Sequence, residues 1–207
     1  MIDYRIYLVT DDPSRYTGDW IENVVAAVEG GVTCVQYRDT ESDAPTRFAR
    51  LRRLQDVLRS RRIPLVVNND AELARAVAAE GIHVGQSDLP PACVREIVGP
   101  SCEIGLSITA PEQIAAVNWK NVDCLGIGPV FDATATKADA ARALGLETLA
   151  EIVRLAPTAP NVAIGGITLA NAGAVLAAGA GGIAVVSAFS KAADPGAVAR
   201  AFARLFT

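Results

Sequence analysis

A single rhythm constrains this chain more than any other feature. Short apolar runs alternate with helix-patterned stretches almost from end to end. The runs are 5–9 (RIYLV), 32–37 (VTCVQY), 64–68 (PLVVN), 82–85 (IHVG), 103–107 (EIGLS), 123–127 (DCLGI), 161–165 (NVAIG) and 182–186 (GIAVV). The spacing of apolar residues predicts helices over 19–29, 44–61, 70–79, 90–97, 110–118, 146–155, 169–178 and 195–205. Strands that are apolar along their whole length, each followed by a helix, imply a parallel sheet covered on both faces. Eight such units in 207 residues favour an α/β fold of one domain over 1–207, a (β/α)8 TIM barrel, over an open doubly wound sheet. The chain is short for that architecture, so its loops must be tight. The exception is 129–145 (PVFDATATKADAARALG), a long polar and Ala-rich loop and a lid candidate.

Local signals support the boundaries. Thr109-Ala-Pro-Glu112 reads as a capping box with Pro in the first turn, and Asp194-Pro195 as an N-cap followed by Pro. Gly30, Gly81 and Gly179 each read as a helix stop just before a strand.

Composition narrows the function classes. A net charge of −4 argues against a general binder of nucleic acid or anionic membrane. The basic stretch 47–63 places Phe48, Leu51, Leu54 and Leu58 three or four apart, the pattern of an amphipathic helix with a solvated basic face. Residues 155–190 carry no charge, but Pro157, Pro160, Asn161, Asn171 and six glycines divide them into strand, turn, helix, turn and strand rather than a membrane span. Cys34, Cys93, Cys102 and Cys124 show no C-x-x-C pairing and read as reduced thiols of a cytoplasmic protein. No signal peptide is visible at the N-terminus. Oligomeric state is left open, a homo-oligomer included.

In such a barrel, ligands sit where the strands end. Those ends carry Gln36 and Arg38; Asn68, Asn69 and Asp70; Gln86 and Asp88; Ser107; Gly128; Gly165 and Gly166; Val186 and Ser187. A rim this polar above apolar strand interiors is hard to explain by solvation alone. AIGGIT and VVSAF follow the seventh and eighth strands, where barrels frequently bind phosphate on loop backbone and a helix N-terminus. Gln36, Arg38 and position 40 share one side of the second strand if the chain stays extended, which reads as a grip on an anion.

Taken in order, QYRD, VVNND, GIHVGQSDLP, GLS, GIGPVF…TATK, AIGGIT and VVSAF resemble the thiamine-phosphate synthases, over about Tyr7 to Phe202. The resemblance implies a barrel that joins hydroxymethylpyrimidine diphosphate to thiazole phosphate and releases pyrophosphate, with Mg2+ as cofactor. It implies that Gln36 and Arg38 grip the diphosphate, that Asn68 faces the pyrimidine and that Ser107 faces the substrates. Asp88 matches a Mg2+ ligand, with Asn69 and Asp70 beside it. Thr134, Thr136 and Lys137 match the T-x-T-K run of a mobile loop, its threonines on the thiazole phosphate and its lysine on the diphosphate. Gly166, Val186 and Ser187 match the thiazole-phosphate cradle. Arg38, Lys137 and Ser107 are then the catalytic set, and the partners are small phosphorylated molecules.

The chemistry agrees with those roles. Departing pyrophosphate needs concentrated positive charge, which Arg38, Lys137 and Mg2+ supply. No protein nucleophile is required, and no Ser-His-Asp or Cys-His set stands out. The one histidine, His83, reads as a packed or hydrogen-bonded strand residue. Three departures from the family stand out. Thr40 replaces a lysine, Asn69 replaces a second magnesium carboxylate, and FDATATK is one residue longer than F-P-T-x-T-K and lacks its proline. Two charges fewer at the diphosphate imply a weakened synthase. The alternatives are a thiazole tautomerase on the same barrel and a non-catalytic binder of thiazole or thiamine phosphate. The tautomerase pattern has a His shortly after the fifth strand, where this chain offers Ile108 and Thr109.

Overall fold

Eight strands close on themselves. β1 (Ile6–Val9), β2 (Cys34–Tyr37), β3 (Leu65–Asn68), β4 (Gly81–Val84), β5 (Glu103–Ile108), β6 (Cys124–Ile127), β7 (Asn161–Ile164) and β8 (Ile183–Val185) form a closed barrel in sequence order. Every pairing is parallel. β8 returns to β1 with Ile6 opposite Ile183, so the first and last strands share the closing seam. The coordinates are a computed structural model that describes residues 1–132 and 143–207. Within those, no helix is long and apolar enough to cross a membrane, and all four cysteines are free thiols, three of them buried.

The helices are α1 (Trp20–Glu29), α2 (Ala44–Arg61), α3 (Ala71–Val77), α4 (Pro91–Val98), α5 (Gly145–Leu155), α6 (Ala172–Ala177), α7 (Ser187–Ser190) and α8 (Pro195–Ala203). Acidic caps start several of them. Asp19, Asp43, Asp70 and Asp194 each accept a backbone N–H from the first turn. The fifth unit departs from expectation, because Pro111–Ala116 is a 3-10 helix and not an α-helix. Its cap also differs: the N–H groups of Thr109 and Ala110 both donate to Gln113 Oε1, so Gln113 closes the box rather than Glu112. Gly81 opens β4 instead of stopping α3, whose C-cap is Ala78 in the left-handed region at φ 49°. The short α7 directly after β8 was not expected from the sequence.

Strand alternation sorts side chains into two cores. Ile6 and Leu8, Val35 and Tyr37, Leu65 and Val67, and Ile104 and Leu106 face outward and pack under the helices. Tyr7, Val9, Cys34, Val66, Cys124, Val162 and Ala184 form a second core inside the barrel, with Ile2 below them. The same period places Gln36, Asn68, His83 and Ser107 on the interior side, higher toward the C-terminal rim. The basic helix α2 buries Leu51, Leu54 and Leu58 as its spacing requires, while Phe48 stays exposed. Its arginines are largely paired, among them Arg50 with Asp39 and Arg53 with Asp19. At the seam, α1 and α8 approach so closely that a Cβ on Gly30 would collide with the backbone of Gly196 and the side chain of Ala199.

Candidate active site at the C-terminal rim

At the end of β2 the structure holds Arg38 by its backbone, and among the described residues its side chain has no partner. The Arg38 N–H donates to Thr10 Oγ1 at 2.9 Å, and the Thr10 hydroxyl donates to the Arg38 carbonyl at 3.1 Å. The half-buried guanidinium has no acidic or carbonyl partner among the described residues, whereas Arg15, Arg50 and Arg53 are paired at 3.0–3.1 Å. Gln36 is buried inside the barrel, where its Nε2 donates to Tyr7 Oη at 2.7 Å.

The extended row does not reach position 40. Asp39 is pulled inward, accepting bonds from the Ser42 N–H, Arg50 Nη1 and Tyr37 Oη, each at 3.0 Å. Burial by itself would raise the Asp39 pKa, but these donors outweigh it and hold the carboxyl below its ordinary value. The chain bends around this anchor. Thr40 stands exposed past the bend, its hydroxyl donating to Glu41 Oε1 at 3.2 Å.

At β3, Asn68 ends the strand on the interior side, and the Asn69 backbone turns into the left-handed region at φ 62°. The Asn69 N–H donates to the His83 carbonyl at 2.9 Å, while its side chain is exposed. Asp70 is occupied: it caps α3 through the Leu73 N–H at 2.9 Å and lies 4.0 Å from Arg47. Asp88 is half-buried after β4. Its Oδ2 accepts the Gly85 N–H at 2.7 Å, and no partner for its other oxygen lies among the described residues. In that same set, no three His, Cys, Asp or Glu side chains gather as a cage for a metal ion.

His83 and Ser107 face each other across β4 and β5, with Nε2 and Oγ 3.0 Å apart. The ring lies against two glycines of the next strands. A Cβ on Gly105 would collide with Nδ1, and one on Gly126 would stand 2.5 Å from Cε1. Burial lowers the His83 pKa to about 4, against an opposing pull from the Asp88 carboxylate. The ring is therefore neutral at ordinary pH. Sequence reasoning placed His83 as packed or hydrogen-bonded, and it is both. It did not identify Tyr7, Thr10, Gly105 or Gly126 as supports of the rim. Glycines inside strands were the available signal, since they mark close approach.

The opposite side of the rim is made of backbone. Gly165 and Gly166 have φ of 101° and 63°, conformations that L side chains rarely adopt. Each abuts the start of the β6–α5 loop: a Cβ would stand 2.5 Å from Pro129 Cα at Gly165 and 2.7 Å from Phe131 Cβ at Gly166. The Gly166 carbonyl accepts from Asn171 Nδ2 at 2.9 Å. Val186 and Ser187 follow β8, both half-buried, with Ser187 opening α7. The flanks of the long loop are tied beside this turn. Val130 and Phe131 N–H groups donate to the Ile164 and Gly165 carbonyls, and Leu144 and Gly145 N–H groups donate to those of Pro129 and Val130. Thr134, Thr136 and Lys137, and with them the expected lid, lie outside the described residues.

Comparison with known proteins agrees with this arrangement. The family model for thiamine monophosphate synthase matches residues 6–189. A thiamine-phosphate synthase of Laribacter hongkongensis is 49% identical over 201 residues, spanning 97% of this chain and 94% of that protein. One from Azorhizobium caulinodans is 45% identical over 198 residues, spanning 96% and 92%. The solved structure of a thiamine phosphate pyrophosphorylase from Pyrococcus furiosus superposes with a TM-score of 0.86 at 32% identity, covering 98% of this chain and 95% of that one. A (β/α)8 barrel whose rim combines Arg38 with a glycine turn, and which matches these proteins over nearly its whole length, belongs to the thiamine-phosphate synthase family.

Proposed function

We propose that this chain is a transferase of thiamine biosynthesis, joining hydroxymethylpyrimidine diphosphate to thiazole phosphate with loss of pyrophosphate. The observation that carries the reading is Arg38: its backbone is clamped by Thr10 while its guanidinium has no partner among the described residues, at the strand end where such barrels bind ligand. A fork of donors left without a partner at this position matches the oxygens of a diphosphate. As the carbon–oxygen bond breaks, charge builds on the leaving pyrophosphate, and the guanidinium would stabilise it.

The other roles follow from position. The sequence pairs Gln36 with Arg38 in the diphosphate grip, but its Nε2 already donates to Tyr7, and the oxygen left over is an acceptor that suits a donor on the pyrimidine rather than a phosphate; Asn68 lies on the neighbouring strand. Ser107 supplies a hydroxyl to the substrates, and the backbone of Gly166, Val186 and Ser187 receives the thiazole phosphate. Lys137 supplies a second cation and Thr134 and Thr136 further hydroxyls, by the resemblance of TATK to the family's motif.

The donor set suits Mg2+ that is bound chiefly through substrate. Asp88 offers a carboxylate oxygen with no partner among the described residues, Asn69 a neutral amide, and Asp70 is engaged as a helix cap. Mg2+ commonly binds through one or two carboxylates, with phosphate oxygens and water completing its shell. When bound, it would neutralise charge on the diphosphate oxygens. Asp88 would hold it, with Asn69 and Asp70 at its margin.

The tautomerase reading finds no support at its key position. Ile108 is buried as the last residue of β5, and Thr109 bonds with Gln113. Incubation with both substrates and Mg2+, followed by fluorescence of the oxidised product, is the direct test. Formation of thiamine phosphate is expected. Tight binding of thiazole phosphate without turnover would instead identify a binding protein. With Asp88→Asn, an anionic oxygen ligand becomes a neutral one, and the Mg2+ concentration giving half-maximal rate is expected to rise about tenfold or more; an unchanged requirement would remove Asp88 from the metal site.

A further inference from the structure

The strand interiors hold one polar pair whose surroundings are cut to its shape. His83 stands opposite Gly105 in the β4–β5 register, and Ser107 stands opposite Gly126 in the β5–β6 register. The imidazole therefore crosses β5 diagonally over two missing side chains, and its Nε2 arrives 3.0 Å from Ser107 Oγ. Simple packing does not account for this. A filler residue needs no hydrogen-bond partner, and alanines at the two glycines would fill part of the same space without any ring.

We infer that His83 is a positioning residue, which holds the Ser107 hydroxyl in the orientation that meets the substrates. The inference rests on the transferase reading for what Ser107 touches. A serine hydroxyl left alone samples several staggered rotamers and rotates about its C–O bond. A ring pinned by two strands removes that freedom through one bond. The same strand end is fixed from its other side, where Gln86 Nε2 donates to the Ser107 carbonyl at 2.6 Å. Neutrality suits the role, because the ring keeps the same hydrogen-bonding face across the working pH range. No proton need leave or reach the ring during turnover, so His83 acts through Ser107 and not on the reacting atoms.

His83 is the only histidine in the chain, which makes the contact directly observable. In tag-free protein with 15N-labelled histidine, one pair of ring nitrogens reports it. Replacing Ser107 by alanine is expected to move the Nε2 signal well beyond the Nδ1 signal. An unmoved Nε2 overturns the contact, and with it the inference, whatever the enzyme does.

Kinetics test the consequence. His83→Gln carries its amide close to the Nε2 place, whereas His83→Asn reaches only to the Nδ1 place. The Asn variant is expected to lose about five- to tenfold in kcat, the worth of one neutral hydrogen bond, with the Kd for thiazole phosphate unchanged, and Gln to recover most of the loss. In a Ser107→Ala background, His83→Asn should add nothing further. Losses that simply multiply would show that His83 acts independently of Ser107 and overturn the inference. Wild-type protein that makes no thiamine phosphate would instead overturn the transferase reading, while the ring-nitrogen measurement still decides the contact.

Discussion

From β2 to β5 the rim is built from side chains, each steadied by one neighbour: Gln36 by Tyr7, Asp88 by the Gly85 N–H, Ser107 by His83. Around β7 and β8 it is built from backbone, where Gly165 and Gly166 fold at positive φ against Pro129 and Phe131. The two constructions respond differently to change. A side-chain site can be altered one group at a time while the strand beneath it stays put. A backbone site is part of the chain path, so altering it strains the fold and the ligand cradle together. Of the three departures from the family's pattern, Thr40 and Asn69 lie on the side-chain half, whereas the FDATATK stretch begins at Phe131, against the glycine turn.

The sharpest way to break this contrast is Gly165→Ala. Positive φ and a Cβ 2.5 Å from Pro129 Cα combine strain with overpacking, and a loss of about 2–4 kcal/mol is expected. Calorimetry should show a melting temperature lower by roughly 5–15 °C; an unchanged melt would mean that the backbone side is as forgiving as the other. On the side-chain half, Arg38→Ala is expected to cut kcat/KM about a hundredfold with no change in melting temperature, as for loss of a donor to developing negative charge. A large fall in stability with activity intact would return Arg38 to a structural role.

Below these lies a pH effect. An unfolded His83 takes up its proton near 6.5, while the folded ring resists until about 4. Between those values the unfolded state binds more protons, so stability should fall as pH drops through the window. Urea denaturation over pH 4–7 should show a shallower slope for His83→Gln, and identical slopes would contradict the lowered pKa. The smallest effect is expected from Thr40→Lys. Position 40 lies exposed past the bend, where an added charge is screened, so turnover should rise only about two- to threefold in steady-state assays at saturating Mg2+. A tenfold gain would restore position 40 to the diphosphate grip.

The barrel was legible because strands buried on both faces leave an unmistakable apolar beat, and each of the eight runs coincides with a strand to within two residues at either end. The rim was legible as a set of polar strand ends, since period two also sorts Gln36, Asn68, His83 and Ser107 to the interior. What failed was extrapolation past a strand's end. The row was carried to Thr40, but β2 stops at Tyr37, and the Asp39 carboxylate turns the chain by taking the Ser42 N–H. Asp70 illustrates a competition between roles: a carboxylate directly before a helix is first of all a cap. The supports of the site were hidden for a third reason. Gly105 and Gly126 matter to His83 only because neighbouring strands bring them beneath its ring, and that adjacency exists between strands and not along one of them.

The seam where β8 meets β1 and Gly30 meets Gly196 governs how this molecule comes into being. It joins the first strand to the last, so its loop-closure entropy is among the largest in the barrel, and it is expected to form late in folding. Until it forms, β1 and β8 are open edges, each with a row of unpaired N–H and C=O groups able to recruit another chain. Closure erases both edges at once. The close packing of α1 on α8 therefore guards against aggregation as well as holding the barrel shut, and a nascent chain halted before α8 would leave the ribosome with that guard missing.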